Sequence, residues 1–164
     1  MSALTSLAYK TTGRIGRVTL NRPERGNAIT LEMPDELAEC VERACLDPSV
    51  HVIALSGNGP GFCAGYDLVL TAEQRFSGGK DSALAGTPLD VDVQRANHDP
   101  SKTWDPMIDY ALMGRCVRKF MSLFHADKPV VCKVHGFCVG GGTDMALCSD
   151  LIVIEDKAKI GYPP

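Results

Sequence analysis

The segment KPVVCKVHGFCVGGGTDMALCSD, residues 128–150, carries the residues best placed to do chemistry. An apolar run, Val130 to Val134, has strand character and leads towards three consecutive glycines, Gly140 to Gly142. Thr143 to Cys148 continues as a helix. A strand that feeds glycines at the start of a helix leaves bare backbone N–H groups pointing outward, and the helix dipole adds partial positive charge there. Such a place holds an anion, either a permanent phosphate or an oxyanion that forms only during a reaction. Asp144 follows Gly141 by three residues and shares its helix face. An oxyanion site with a carboxylate beside it is equipment for acid–base chemistry next to a carbonyl.

The elements that must hold this site follow an α/β order. Arg17 to Leu20 has strand character and stops at Asn21-Arg22-Pro23. Thr30 is placed to cap a helix from about Leu31 to Leu46, with Leu31, Leu37, Val41 and Ala44 near one stripe and Asp47-Pro48 ending it. Val52 to Ser56 is a continuous apolar strand, as expected where both faces of a sheet are covered. The loop GNGPGFCAGYDL follows at 57–68. Residues 71–106 are polar and rich in Gly, Asp, Ser and Pro, and are expected to form a long loop with room for one short helix. Ile108 to Phe124 is expected as a helix. Then come the strand at 130–134, the glycine turn, a helix to about Leu147 and the strand Leu151 to Ile154. Residues 1–164 are expected to form a single domain. The last residues, Gly161-Tyr162-Pro163-Pro164, are turn residues, which suggests a fold incomplete at its C-terminus.

The totals set limits on function. The chain has 164 residues, enough to bury a core, and its hydrophobic (45%) and charged (23%) shares are ordinary for a globular protein. A net charge of −3 argues against a general nucleic-acid binder. No apolar run approaches the roughly 20 residues of a membrane span, and MSALTSLAYK lacks the apolar centre of a signal peptide. The seven cysteines are an odd number without a C-x-x-C pair, so free buried thiols in a reducing, cytoplasmic compartment are expected. The four histidines, His51, His98, His125 and His135, have no ligand spacing, so no metal site is assigned. His135 is expected in a strand just before Gly136, as a hydrogen-bonded structural residue. Cys63 and Cys138 are small packing residues rather than nucleophiles, having no base or positive neighbour in sequence. GNGPGFCAG has glycines spaced G-x-G-x-G rather than the G-x-G-x-x-G of a dinucleotide fold, which counts against a nicotinamide-dependent oxidoreductase.

Three segments together resemble the crotonase family, the enoyl-CoA hydratase/isomerase superfamily. They are VTLNRPERGNAIT (18–30), VIALSGNGPGFCAGYDL (52–68) and KPVVCKVHGFCVGGGTDMALCSDLIVIEDKAKIG (128–161). The resemblance implies a spiral of ββα units, an acyl-CoA thioester substrate with coenzyme A as part of it and no separate cofactor, and a homotrimer or hexamer. It also implies an oxyanion hole for the thioester oxygen. One donor would be the backbone N–H of Tyr66, after the glycine of A-G-Y-D-L; the other would be that of Gly141. The resemblance places CoA contacts at Gly26 and Ala28 and at Cys63 and Ala64. Arg25 either reaches a CoA phosphate or stays a solvated surface arginine. Trp104 either covers the acyl chain or anchors its own loop. The C-terminal third, which closes over the CoA, is expected to be absent.

The family's hydratases use two glutamates. The first corresponds to Asp144, a carboxylate on a stem one methylene shorter; the second corresponds to Pro164, which carries no proton. A two-glutamate addition of water is therefore put in doubt, whereas proton transfer by one carboxylate is not. The leading expectation is an acyl-CoA enzyme, a lyase of the hydratase/isomerase type, with Tyr66 and Gly141 polarising the thioester and Asp144 moving a proton. The alternative is a catalytically weak or silent acyl-CoA-binding member of the family.

Overall fold

The computed structural model describes residues 4–67 and 85–162. The chain divides into two compact units, one of residues 1–67 with 119–164 and one of residues 68–118.

The first unit is built on a five-stranded sheet. Its strands are β1 (Leu7–Thr12), β2 (Ile15–Leu20), β3 (Val52–Gly57), β4 (Val130–Val134) and β6 (Leu151–Ile154), in the order β1-β2-β3-β4-β6. β1 and β2 pair antiparallel through the two-residue turn Gly13-Arg14; the remaining neighbours are parallel. The sequence pattern had not marked β1, because only Leu7 of LAYKTT is buried and its order comes from pairing rather than from its own apolar face. Two short strands, β5 (Phe137–Val139) and β7 (Lys159–Gly161), form a separate parallel pair. Three residues each are too few to show a period.

Helix α1 (Met33–Leu46) packs against β1 and β2. Leu37, Val41 and Ala44 are buried as expected, whereas Leu31 precedes the helix and is exposed. Thr30 does serve the helix entrance: its Oγ1 accepts from Met33 N at 3.2 Å. At the other end Lys128 Nζ donates to the Ala44 and Asp47 carbonyls, satisfying groups that a helix C-terminus leaves open. Glu36, buried on α1, accepts from the backbone N–H groups of Thr5, Ser6 and Leu7 and so fixes the entry to β1. The core is apolar from both sides of the sheet, with Val18, Leu20, Ile53, Leu55, Val130, Cys132 and Val134 at or below 1% exposure. β6 is the exception: Leu151, Val153 and Ile154 are exposed, and no further strand pairs with β6 beyond β4 among the described residues.

In the second unit the described residues begin at 85 and include helix α2 (Val91–Asn97), inside the segment expected to be a long loop. Helix α3 (Pro106–Phe124) starts two residues earlier than expected, where Asp105 Oδ1 accepts from Met107 N at 2.9 Å. Asn97 and Asp105 exchange two hydrogen bonds that close the turn between the helices. No helix among the described residues is long and apolar enough to cross a membrane. Pro164 lies outside the described residues.

Candidate active site

The glycine triplet opens helix α4 (Gly141–Leu147) after β5. Gly140 stands at φ +55°, a backbone shape that L side chains rarely adopt, and its carbonyl accepts from the N–H groups of Thr143 and Asp144. Gly141 and Gly142 donate to no acceptor among the described residues. Both are buried, and both lie where a side chain has no room. A Cβ on Gly141 would meet Ile29 Cδ1 at 2.8 Å and the Tyr66 ring at 2.9 Å; one on Gly142 would meet Cys63 Cβ at 2.7 Å. Helix α4 spans only seven residues, so its dipole is a smaller contribution than the sequence suggested and the bare amides themselves matter more.

The A-G-Y-D turn is laced to this triplet. Cys63 pairs with Cys138 in an isolated parallel bridge; its N–H donates to Phe137 O and its carbonyl accepts from Val139 N. On the other edge Ala64 N donates to Gly26 O, Ile29 N donates to Gly65 O and Asp67 N donates to Ile29 O. Ile29 thus spends both its backbone groups on residues 65 and 67, which turns the Tyr66 amide to the opposite edge in this extended pairing. Tyr66 and Gly141 lie side by side, with the tyrosine ring against the glycine.

The residues expected to contact CoA form one neighbourhood. Pro23–Arg25 make a single 3-10 turn closed by Gly26 at φ +59°, and Ala28 N donates back to Arg25 O at 3.1 Å. The Gly26–Ala64 bond joins this turn to the second group. Arg25 and Ala64 are exposed, Ala28 is buried, and Cys63 is fully buried with both backbone groups paired. Within the pair Cys63 and Ala64, only Ala64 is open to a ligand. Burial pushes the Cys63 thiol up to about 12 and the Cys138 thiol up to about 11. These are packing thiols, protonated at any physiological pH.

Three features had no sequence argument of their own. Asn27 is buried at φ +56°; its Nδ2 lies within hydrogen-bond distance of the carbonyls of Asn58, Gly61 and Phe62, and its Oδ1 accepts from Arg22 N. It clips the N-R-P-E-R-G-N turn to the GNGPGF loop. Arg22 donates to Asp67 Oδ2 at 2.9 Å and to Ala28 O, a partly buried ion pair that ties the same turn to the end of A-G-Y-D. Tyr162 donates its phenolic hydrogen to Asp144 Oδ1 at 2.5 Å. Polar residues inside glycine-rich loops were the available signal for the first two; for Tyr162 there was none. His135 follows β4 rather than lying within it, and its Nε2 is 2.9 Å from Gly59 O, a structural contact of the kind expected. Trp104 donates to Asp109 Oδ2 at 2.7 Å and so is anchored within its own unit.

The sequence pattern of the family described as enoyl-CoA hydratase/isomerase matches residues 15–164. The chain belongs to that family. It is 35% identical over 146 residues to a mevalonyl-coenzyme A hydratase of Beauveria bassiana, covering 89% of this chain and 44% of the relative. It is 32% identical over 142 residues to the 1,2-epoxyphenylacetyl-CoA isomerase of Escherichia coli, covering 87% and 44%. A crystal structure of an enoyl-CoA hydratase from Mycobacterium smegmatis superposes with a TM-score of 0.87 at 51% identity, covering 99% of this chain and 51% of that one. The α/β crotonase fold expected from the sequence is thus the fold observed. The chain spans about half the length of these relatives. The three motif segments fall within the span matched by the enoyl-CoA hydratase/isomerase pattern.

Proposed function

We propose that this chain acts on an acyl-CoA thioester, stabilising an enolate between the backbone N–H groups of Tyr66 and Gly141 while Asp144 carries the proton. The observation that supports this reading best is the lacing of Cys63 to Phe137 and Val139, with the Tyr66 ring against Gly141, whose N–H donates to no acceptor among the described residues. In the reaction the Asp144 carboxylate takes a proton from the carbon beside the thioester carbonyl. The C–H bond breaks, an O–H bond forms on Asp144, and the electron pair moves to the thioester oxygen. Returning the proton to a different carbon shifts a double bond; adding water across the enoyl double bond runs through the same enolate. Two backbone donors aimed at the oxygen lower the barrier because the charge on it grows in the transition state, and loss of one such donor typically costs about 100- to 1000-fold in rate.

Gly26, Ala28 and Ala64 would meet the coenzyme through backbone groups, with Arg25 at the phosphates and Cys63 as the packing residue beneath. Coenzyme A enters as part of the substrate, so no separate cofactor is invoked. A cytoplasmic homotrimer or hexamer working in fatty acid metabolism, with lyase chemistry, is the setting this reading implies. A second reading, a weak or silent acyl-CoA-binding protein, draws on Pro164, where a second carboxylate is expected and none can act. Spectrophotometric turnover of 2-enoyl- and 3-enoyl-CoA thioesters, beside calorimetric binding of the same compounds, separates the two. Turnover that Asp144→Asn abolishes supports the enzyme. Binding with no turnover of any enoyl thioester overturns it in favour of the second reading.

A further inference from the structure

β7 does more than close a small sheet. Val139 pairs with Gly161, Gly140 N donates to Gly161 O at 3.0 Å, and Thr143 Oγ1 is within reach of both the Cys138 and Gly161 carbonyls. The backbone just before Tyr162 is therefore locked to the backbone just before Asp144. From that base the Tyr162 phenol reaches Asp144 Oδ1, and Oδ2 accepts no hydrogen bond from any described residue. One carboxylate oxygen is held and the other is open.

We propose that Tyr162 is the positioning residue for Asp144: its phenol fixes one oxygen and leaves the second oxygen to face the carbon acid. This rests on the reading of Asp144 as the proton carrier. A donor on a carboxylate restricts its rotation, a restraint that a lone aspartate on a two-turn helix lacks. Proline at 164 adds no group that would share the task. The proton balance is unchanged by Tyr162, which keeps its own hydrogen throughout; only Asp144 gains and loses a proton. The hydrogen bond to Asp144 also raises the Tyr162 phenol above the usual tyrosine range, in keeping with a donor held by a negative charge.

Two measurements on the full chain test the pair independently. In an ultraviolet tyrosinate titration, the Tyr162 transition, identified by its loss in Tyr162→Phe, is expected to move to lower pH in Asp144→Asn. In steady-state kinetics on an enoyl-CoA thioester, Tyr162→Phe is expected to lower kcat about 10- to 100-fold, with KM within about twofold. A tyrosine that served packing alone would leave kcat of the folded Tyr162→Phe variant unchanged. An unmoved tyrosinate transition in Asp144→Asn overturns the proposal, as does an unchanged kcat in Tyr162→Phe with Asp144→Asn inactive. A wild-type chain without turnover but with the shifted transition supports the pair and removes the proposed reaction, so the two failures are distinguishable.

Discussion

At the scale of single residues, the account assigns most of the chemistry to Asp144 and to backbone amides, and most of the packing to cysteines. Asp144→Asn keeps the shape and removes the base, so kcat on an enoyl-CoA thioester is expected to fall by at least about 100-fold with little change in KM, measured by steady-state assay. The backbone donors resist mutation, because only proline removes an N–H and it also breaks the turn. The thiols give a cleaner test. Burial holds Cys63 and Cys132 up at about 12, so neither forms a useful thiolate at pH 8. Alkylation with iodoacetamide at pH 8, followed by mass spectrometry of the native protein, is expected to leave both unmodified while the denatured chain reacts at both. Rapid native modification of Cys63 would contradict the packing described here.

At the scale of elements, the site depends on loops that hold one another. Asn27→Ala removes the donor to three loop carbonyls and leaves a non-glycine residue at positive φ, so a loss of about 2–3 kcal/mol is expected in chemical denaturation. Gly142→Ala drives a Cβ to 2.7 Å from Cys63 Cβ and 3.0 Å from its carbonyl oxygen. Backbone cannot swing aside as a side-chain tip can, so a loss of at least about 1–3 kcal/mol and a lowered Tm are expected. The sequence made the strands β3, β4 and β6 legible because apolar residues dominate each run, and α1 because its stripe is regular. It made the triplet and the A-G-Y-D turn legible as a site because glycines at a helix entrance have a physical meaning on their own. It did not reveal β1, β5 or β7, whose order comes from partners far along the chain. Tyr162 escaped for the same reason: 18 residues separate it from Asp144, and only the β5–β7 pairing joins them. Leu31 was misassigned because an apolar residue next to a cap looks like the first turn of a stripe.

At the scale of the whole molecule, buried thiols give the chain a pH-dependent stability. Their folded pKa values lie above the reference of 9.0, at about 12 for Cys63 and about 11 for Cys40, so the native state holds these protons longer than the unfolded chain does. That contribution is complete below pH 9 and is lost as pH rises through the window from about 9 to about 12. Urea midpoints are expected to be level through neutral pH for this contribution and to fall steadily above pH 9; a rise there would contradict the burial of these groups. The family fold at a TM-score of 0.87 accounts for the frame, and the interlocked turns account for why 63–66 and 137–141 stay together. The central claim concerns two amides and one oxygen. It is tested most directly by following the backbone ¹⁵N–¹H signals of Tyr66 and Gly141 while titrating the labelled chain with acetoacetyl-CoA, a thioester that readily forms an enolate. Both signals are expected to move together, along one binding curve. Movement of the Gly26 and Ala64 signals while those of residues 66 and 141 stay still would contradict the account.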